Sequence, residues 1–445
     1  MGDWRTRIAR ATILAFALLD GGAAWATALS FDEARTALAQ ASDAQRAAEA
    51  AVSGRSHDAR AADSLGHPDL SVSATQIWGI KTATLDTPLG AIGIDQNLQG
   101  PRSSFNTTWP IYTGGRIEAK QRFLAAGVQE AQSELDQVEQ HLDDELANIY
   151  FGVCLAISVE RTRRSVLEQA DRQLERAKRF EARGVIPAVE RLNAQVARDE
   201  AAREHVRAQR DLEIARMRLQ RLLVQDTPVE PTTPLFMITS PGKPLSEWLG
   251  LAQADSPVLK AFTARRAQAE QGIVAAEAKW KPEVFAFGSY STIRHYQTLV
   301  EPNWIAGIGV NFTLYSREDR ANAVDSARDT LRRVESLDGE ARNQILTAVE
   351  AAYRKVEQAR EQFQLLESAI VDARENLRLR ERGFEEGQAT SLDINEARNA
   401  LARAETSRSV AAYEFVVALS KLLEVSGQKR SLSEFVHRAD VTLQP

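Results

Sequence analysis

The chain has 445 residues and a formal charge of −6, with 55 Lys and Arg against 61 Asp and Glu. That acidic balance argues against a nucleic-acid partner. With charged residues at 26%, nothing beyond the N-terminal segment approaches the ~18 to 20 apolar residues of a membrane helix. The single cysteine, Cys154, rules out a disulfide framework and lies inside a helical pattern, where core packing is expected.

Arg5, Arg7 and Arg10 precede the apolar run from Ala11 to Leu19 and then small residues, the form of a secretory signal peptide whose core is too short to span a bilayer. Ala26-Thr27-Ala28 has the small-x-small form of a cleavage site, so cleavage is expected after Ala28 or, alternatively, after Ala26. Residues 1–28 are read as signal peptide. Their removal takes three Arg, Asp3 and Asp20, leaving −7 and no cysteine at the new start to carry a lipid.

A helical pattern occupies 29–67, and His67-Pro68 then leads into alternating residues that predict a first β-hairpin over 68–112. Residues 113–224 read as a long helix, a hairpin tip and a shorter helix. A segment with Pro228, Pro231, Pro234, Pro241 and Pro244 breaks helix and forms a linker over 225–245. The order then repeats, with a helix over 246–281, a second β-hairpin over 282–315, and a long helix, tip and shorter helix over 316–427. The tail is 428–445.

The spacing is that of a duplication. Pro68-Asp69-Leu70 recurs as Pro282-Glu283-Val284, Ile111-Tyr112-Thr113 as Leu314-Tyr315-Ser316, and Leu222-Leu223 as Leu422-Leu423. Tyr112 to Gly184 and Tyr315 to Gly387 are both 72 residues, whereas the Pro-to-Tyr intervals of 44 and 33 differ by 11, which predicts a loop of variable length. Between Tyr315 and Leu377, apolar residues such as Val324, Leu331, Ala341, Val349, Val356, Phe363 and Ile370 form a seam in steps of three and four. Leu135, Val138, Leu142, Leu146, Ile149 and Val153 repeat it. A helix of ~70 residues is on the order of 100 Å long, and two shorter helices stacked end to end beside it would cover its seam.

Four segments have strand period: Asp69 to Trp78, Phe105 to Ile111, Glu283 to about Ile293, and Trp304 to Leu314. Trp78, Trp109, Tyr112, Tyr290, Tyr296, Trp304 and Tyr315 stand near their ends, as interface aromatics of a lipid-facing barrel would. Four strands cannot close, and an open edge in lipid leaves backbone groups unpaired. Two protomers would make a filled eight-stranded barrel and three a twelve-stranded one with a lumen, so three is the expectation for a duct.

The opening Leu29-Ser30-Phe31-Asp32-Glu33-Ala34, the junction Pro110-Ile111-Tyr112-Thr113-Gly114-Gly115-Arg116, and the paired tips at Gly184 and Gly387 resemble the TolC family of outer-membrane factors, over essentially the whole mature sequence. The resemblance implies a mainly α fold with a small β part: a long antiparallel coiled-coil tunnel in the periplasm, plus four membrane strands per protomer that a homotrimer completes into a 12-stranded barrel in outer-membrane lipid. It implies a passive duct for tripartite efflux or type I secretion, without catalytic residues, cofactor or metal. It also implies a periplasmic adaptor (membrane fusion protein) and an inner-membrane pump of RND, ABC or MFS type. The adaptor-docking tips would be Gly184, Val185, Ile186, Gly387, Gln388 and Ala389. The narrow ring would fall on Asp393 and Glu396, three apart on one helical face, with Glu190 the matching carboxylate of the first tip, free to pair with Arg183 or Arg191. Phe384 stands where the family often has tyrosine and Ala389 where it often has arginine, which removes the side chains of a hydrogen-bonded latch.

An enzyme would need convergent polar groups, yet His57, His67, His141, His205, His295 and His437 are scattered and no metal-ligand spacing occurs. The rival reading is a non-transporting structural coiled-coil protein of the cell envelope, which has no use for four amphipathic strands.

Overall fold

The computed structural model describes residues 27–88, 90–97, 99–294, 302–428 and 432–443. Residues 1–26, which fall in the expected signal peptide, lie outside them, as do His295 and Tyr296.

A three-residue strand β1 (Thr27–Leu29) leads into α1 (Phe31–Ala41) and α2 (Asp43–Asp63). The start of α1 is fixed by a capping box, in which Ser30 Oγ accepts from the N–H of Glu33 while Glu33 Oε2 accepts from the N–H of Ser30 at 2.7 Å. Ser42, in extended conformation, ends α1 and caps α2 through the N–H of Gln45. The helical pattern over 29–67 is therefore two helices with a corner.

Next come β2 (Asp69–Ile77), β3 (Ile80–Thr87), β4 (Gly90–Asn97) and β5 (Gly100–Tyr112), then α3 (Arg116–Ala182) and α4 (Ala188–Leu222). Short strands β6 (Val229–Pro231) and β7 (Leu235–Met237) occupy the proline-rich linker. The second copy follows as α5 (Leu245–Asp255), α6 (Pro257–Ala278), β8 (Glu283–Arg294), β9 (Trp304–Asn311), α7 (Arg320–Glu385) and α8 (Ser391–Val425). Ser256 with Pro257 at the first helical position makes the same corner as Ser42. A short α9 (Leu432–Val436) and β10 (Val441–Leu443) follow.

The long helices, 67 and 66 residues, are each flanked by two shorter ones: α2 and α4 pack on α3, and α6 and α8 on α7. α3 also packs on α6 and α8, so it is enclosed by both copies. The aligned stacks are about 100 Å long at 1.5 Å per residue. Among the described residues no helix is long and apolar enough to cross a membrane.

The core sits halfway along, where Phe31, Tyr150, Phe151, Phe236 and Phe415 interlock edge to face or stacked and are almost wholly buried. The Tyr150 hydroxyl donates to Leu29 O at 2.7 Å and accepts from the N–H groups of Thr232 and Thr233 at 3.0 Å each. It thereby ties β1 and the linker to α3. β1 pairs in parallel with β6, and β10 antiparallel with β7, forming a belt around this core. Cys154 lies in the same core, 1% exposed, and burial pushes its thiol up to about 12.

At one end the order β2-β5-β8-β9 makes an antiparallel four-stranded sheet, as the strand periods predict. β2 and β9 each have a single pairing partner among the described residues, so both sheet edges are open. Phe285 and Phe287 lie across Gly309 and Gly307, where a Cβ would stand 2.5 and 3.0 Å from the rings, so these glycines make room for aromatic neighbours. The variable stretch is not a plain loop: β3 and β4 extend the first hairpin as a two-stranded ribbon.

Candidate functional site: the hairpin tips and the exposed sheet

The far end of the helical stack is made by the α3–α4 and α7–α8 turns. Both turns solve the same problem, since the last carbonyls of a helix need donors as the chain reverses. Gly184 (φ +69°) donates to Glu181 O and Val185 to Phe180 O at 2.9 Å; Gly387 (φ +72°) donates to Phe384 O and Gln388 to Gly383 O at 2.7 Å. These are paired Schellman caps with glycine in the left-handed position. Gly184, Val185, Gly387 and Gln388 are exposed.

Ile186 and Ala389 instead turn inward and are half-buried. They pack on a cluster of Leu377, Phe384, Ile394 and Ala397, with Phe180 stacked on Phe384 at 6.1 Å between ring centroids. Phe384 therefore holds the two tips together by apolar contact. The apolar surface that faces outward at the tips is Val185, Val189, Leu192, Val196 and Leu392, each more than half exposed, of which the sequence reading singled out only Val185.

The carboxylates are placed as follows. Glu190 does not pair with arginine: its Oε2 accepts from the N–H of Ser391 at 2.8 Å, so the first tip caps the opening turn of α8. Arg191 pairs instead with Glu181 at 2.7 Å. Asp393 closes a capping box, taking the Thr390 N–H at 2.8 Å and the Thr390 hydroxyl at 2.7 Å on Oδ2, and meets Arg380 at 3.2 Å on Oδ1. The two Thr390 hydrogen bonds, with the Arg380 guanidinium adding, hold its carboxyl below the usual range. Glu396, one turn on, is exposed and has no ion-pair partner among the described residues. The expected pair thus divides, with Asp393 engaged in folding the tip and Glu396 open to its surroundings.

Arg176 bonds Glu385 at 3.0 Å across the two hairpins. Arg398, 4% exposed, donates to Asn395 but leaves its Nε without an acceptor, and burial, opposed by nearby Glu381 and reinforced by Arg172 and Arg176, lowers its basicity. No sequence signal marked it.

At the opposite end Trp78, Trp109, Tyr112, Tyr290, Trp304 and Tyr315 are all exposed, several directly paired: Tyr290 faces Trp304 across β8 and β9, and Phe105 across β5 and β8. Tyr112 faces Val284, and from Val284 to Tyr290 along β8 is about 20 Å at ~3.3 Å per residue. The Phe105–Tyr290–Trp304 level and the Tyr112 level are thus about 20 Å apart, while Trp78, next to Ile77 that pairs with Gly100, stands about five residues beyond the first of them. Trp109 also donates through Nε1 to Gly66 O at 3.0 Å, anchoring the sheet to the helices.

Among the described residues no group of His, Cys, Asp and Glu could hold a metal ion.

The model of the outer membrane efflux protein family matches residues 34–224 and 248–428, two blocks that coincide with the two copies. Protein CyaE of Bordetella pertussis is 26% identical over 330 residues, 72% of this chain and 67% of CyaE. Among solved structures, the outer membrane protein VceC of Vibrio cholerae superposes with a TM-score of 0.74 at 16% identity, over 89% of this chain and 96% of VceC. CusC gives 0.77 at 14% identity, over 92% of this chain and 96% of its own. The CmeC outer membrane channel of Campylobacter jejuni gives 0.73 at 12% identity, over 92% and 90%. At such identities these likenesses establish the fold.

Proposed function

The chain belongs to the outer membrane efflux protein family, and from that premise we propose that it works as a passive trimeric duct fed from its helical end. Its fold and family are those of a channel of the outer membrane serving efflux or secretion, with the helices as a periplasmic tunnel. The observation that carries the trimeric reading is the four-stranded sheet with two open edges and two aromatic levels. A structure of this kind is satisfied in lipid only when sister subunits pair with β2 and β9, and three of them leave a lumen.

In this reading an inner-membrane pump delivers the cargo and a periplasmic adaptor seats on the tips. Val185, Val189, Leu192, Val196 and Leu392 supply an exposed apolar surface there, and Gly184, Gly387 and Gln388 supply the turns. Glu396 and Asp393 act as the constriction, repeated around the threefold axis to favour cations. Ile186, Ala389 and Phe384 keep the two hairpins of one subunit moving as a unit.

Single-channel recording in planar bilayers tests this. The resting protein gives small conductance steps, and Asp393→Ala with Glu396→Ala enlarges them. Steps unchanged by the double substitution remove these carboxylates from the gate, and the absence of any steps returns the protein to the structural-spacer reading.

A further inference from the structure

The duplication is not equally filled at the belt. Matching helix starts (Phe31 with Leu245, Ala188 with Ser391) align Tyr150 with Tyr353, Ile157 with Arg360 and Leu29 with Lys243. In the first copy Phe31 packs edge-on against Tyr150 and stacks on Phe151, and the Tyr150 hydroxyl is saturated by Leu29, Thr232 and Thr233. In the second copy the smaller Leu245 stands in place of Phe31, the Tyr353 hydroxyl bonds nothing among the described residues, and a cavity of about 230 Å³ opens between α7, α8 and the segment leading into α5.

Its walls are apolar, with Trp248, Phe415, Leu419 and Leu422 nearly buried around it. Its polar feature is Arg360, 9% exposed. Arg360 Nε donates to Ile238 O at 3.1 Å and Nη1 to Glu357 at 2.5 Å, while Nη2, beside Gly242, has no acceptor among the described residues. Lys243 and Arg438 complete the lining charges. Lys243 is paired with Glu247 and Arg360 with Glu357, and Asp440 accepts from the backbone N–H of the lining residue Ser240, so charges around the lining balance and Arg360 Nη2 is the guanidinium nitrogen left to bind a ligand.

We propose that this cavity binds a single-chain amphiphile bearing a carboxylate, its head on Arg360 Nη2 and its chain along Trp248 and Phe415. A guanidinium held by a carbonyl and a carboxylate on two of its nitrogens presents the third as a fixed, charge-assisted donor, which suits a carboxylate. The volume suits a body somewhat larger than benzene, on the order of ten heavy atoms, which is a medium-length alkyl chain.

The test uses the full-length protein in lipid nanodiscs with a terminally brominated octanoate, which quenches tryptophan on contact, and the correspondingly brominated octanol as the neutral control. Quenching is read as the difference between wild type and Trp248→Phe, which removes the signal of lipid-dissolved probe reaching other tryptophans. A saturable difference is expected, weakened about tenfold or more by Arg360→Met and about as much when the alcohol replaces the acid. Leu251→Phe, which fills the cavity without changing charge, abolishes saturation and serves where Arg360→Met fails to fold. A difference that is absent or linear in probe, that is equal for acid and alcohol, or that survives Leu251→Phe overturns the proposal; so does occupation of the cavity by a neighbouring subunit, which would also leave no difference.

Discussion

Glu190 and Ser391 lie 201 positions apart in the chain, yet the carboxylate of one receives the backbone N–H of the other at 2.8 Å, so one hairpin tip finishes the helix of its twin. Ser391 is itself fully buried and its hydroxyl has no partner, which leaves this contact as the main polar tie at that point. Glu190→Ala should cost about 1 to 2 kcal/mol through the lost cap and stranded N–H. The tips loosen, and resting conductance in planar bilayers rises. Glu190→Gln, which keeps an acceptor oxygen, should lie nearer to wild type in both melting temperature and conductance; equal effects of the two substitutions would contradict the capping role.

Asp393 sets a pH boundary. Its folded carboxyl is held below its ordinary value, so its contribution to tip stability is fully present above the ordinary carboxylate range and fades only as pH falls through the lowered folded value. Hydrogen exchange at the amides that open α8 should therefore be flat from pH about 8 to 5, after correction for intrinsic rates, and accelerate below about 4. In Asp393→Asn that acid step disappears. A step near pH 6 would point to a different group.

Two glycines with nearly the same backbone angle should respond differently to a methyl group. Gly387 (φ +72°) has open space where a Cβ would go, so Gly387→Ala meets only the left-handed penalty of about 1 to 2 kcal/mol. At Gly427 (φ +73°) the Cβ would stand 2.5 Å from the carbonyl oxygen of Asp255, in the corner before α6. Backbone must move, and Gly427→Ala should cost about 2 to 4 kcal/mol. Comparable losses of melting temperature for the two would show that α8 does not dock on that corner as described.

The mature chain should begin at Thr27. Thr27 and Ala28 pair with Val229 and Glu230, the Thr27 N–H donates to Pro228 O at 2.8 Å, and its hydroxyl meets that of Thr227 at 2.9 Å. Ala24-Trp25-Ala26 offers the required small-x-small form two residues earlier. N-terminal sequencing of protein from the outer membrane decides this, and Leu29 as the first residue would mean that two-thirds of β1 is discarded.

The long features were readable because their signal is repetitive. The seam through Val349, Val356 and Phe363 is buried as its period demands, and the strand alternation from Trp304 became β9. Ser42 and Ser256-Pro257 carry the residue types of helix starts, but they lie inside apolar patterns whose period continues through them. The ribbon of β3 and β4 escaped because each strand offers only two apolar residues in alternation, Ala83 and Leu85 in one and Ile92 and Ile94 in the other, too few to show a strand period. The belt strands are three residues each, too short to show a period, and their partners lie about 200 positions away. The same distance hid the site's key contact: sequence neighbours suggested arginine for Glu190, and only folding brings Ser391 to it.

The open edges of β2 and β9 carry a kinetic consequence. If the proposed trimeric duct is right, a freshly exported subunit presents two unsatisfied rows of amide and carbonyl groups that water tolerates and hydrocarbon does not. Solitary entry into the bilayer is therefore closed to it, and association with its siblings must precede insertion or coincide with it. The yield of inserted ducts should then climb more steeply than in proportion to the export rate, and scarce expression should leave stranded, protease-sensitive chains in the periplasm.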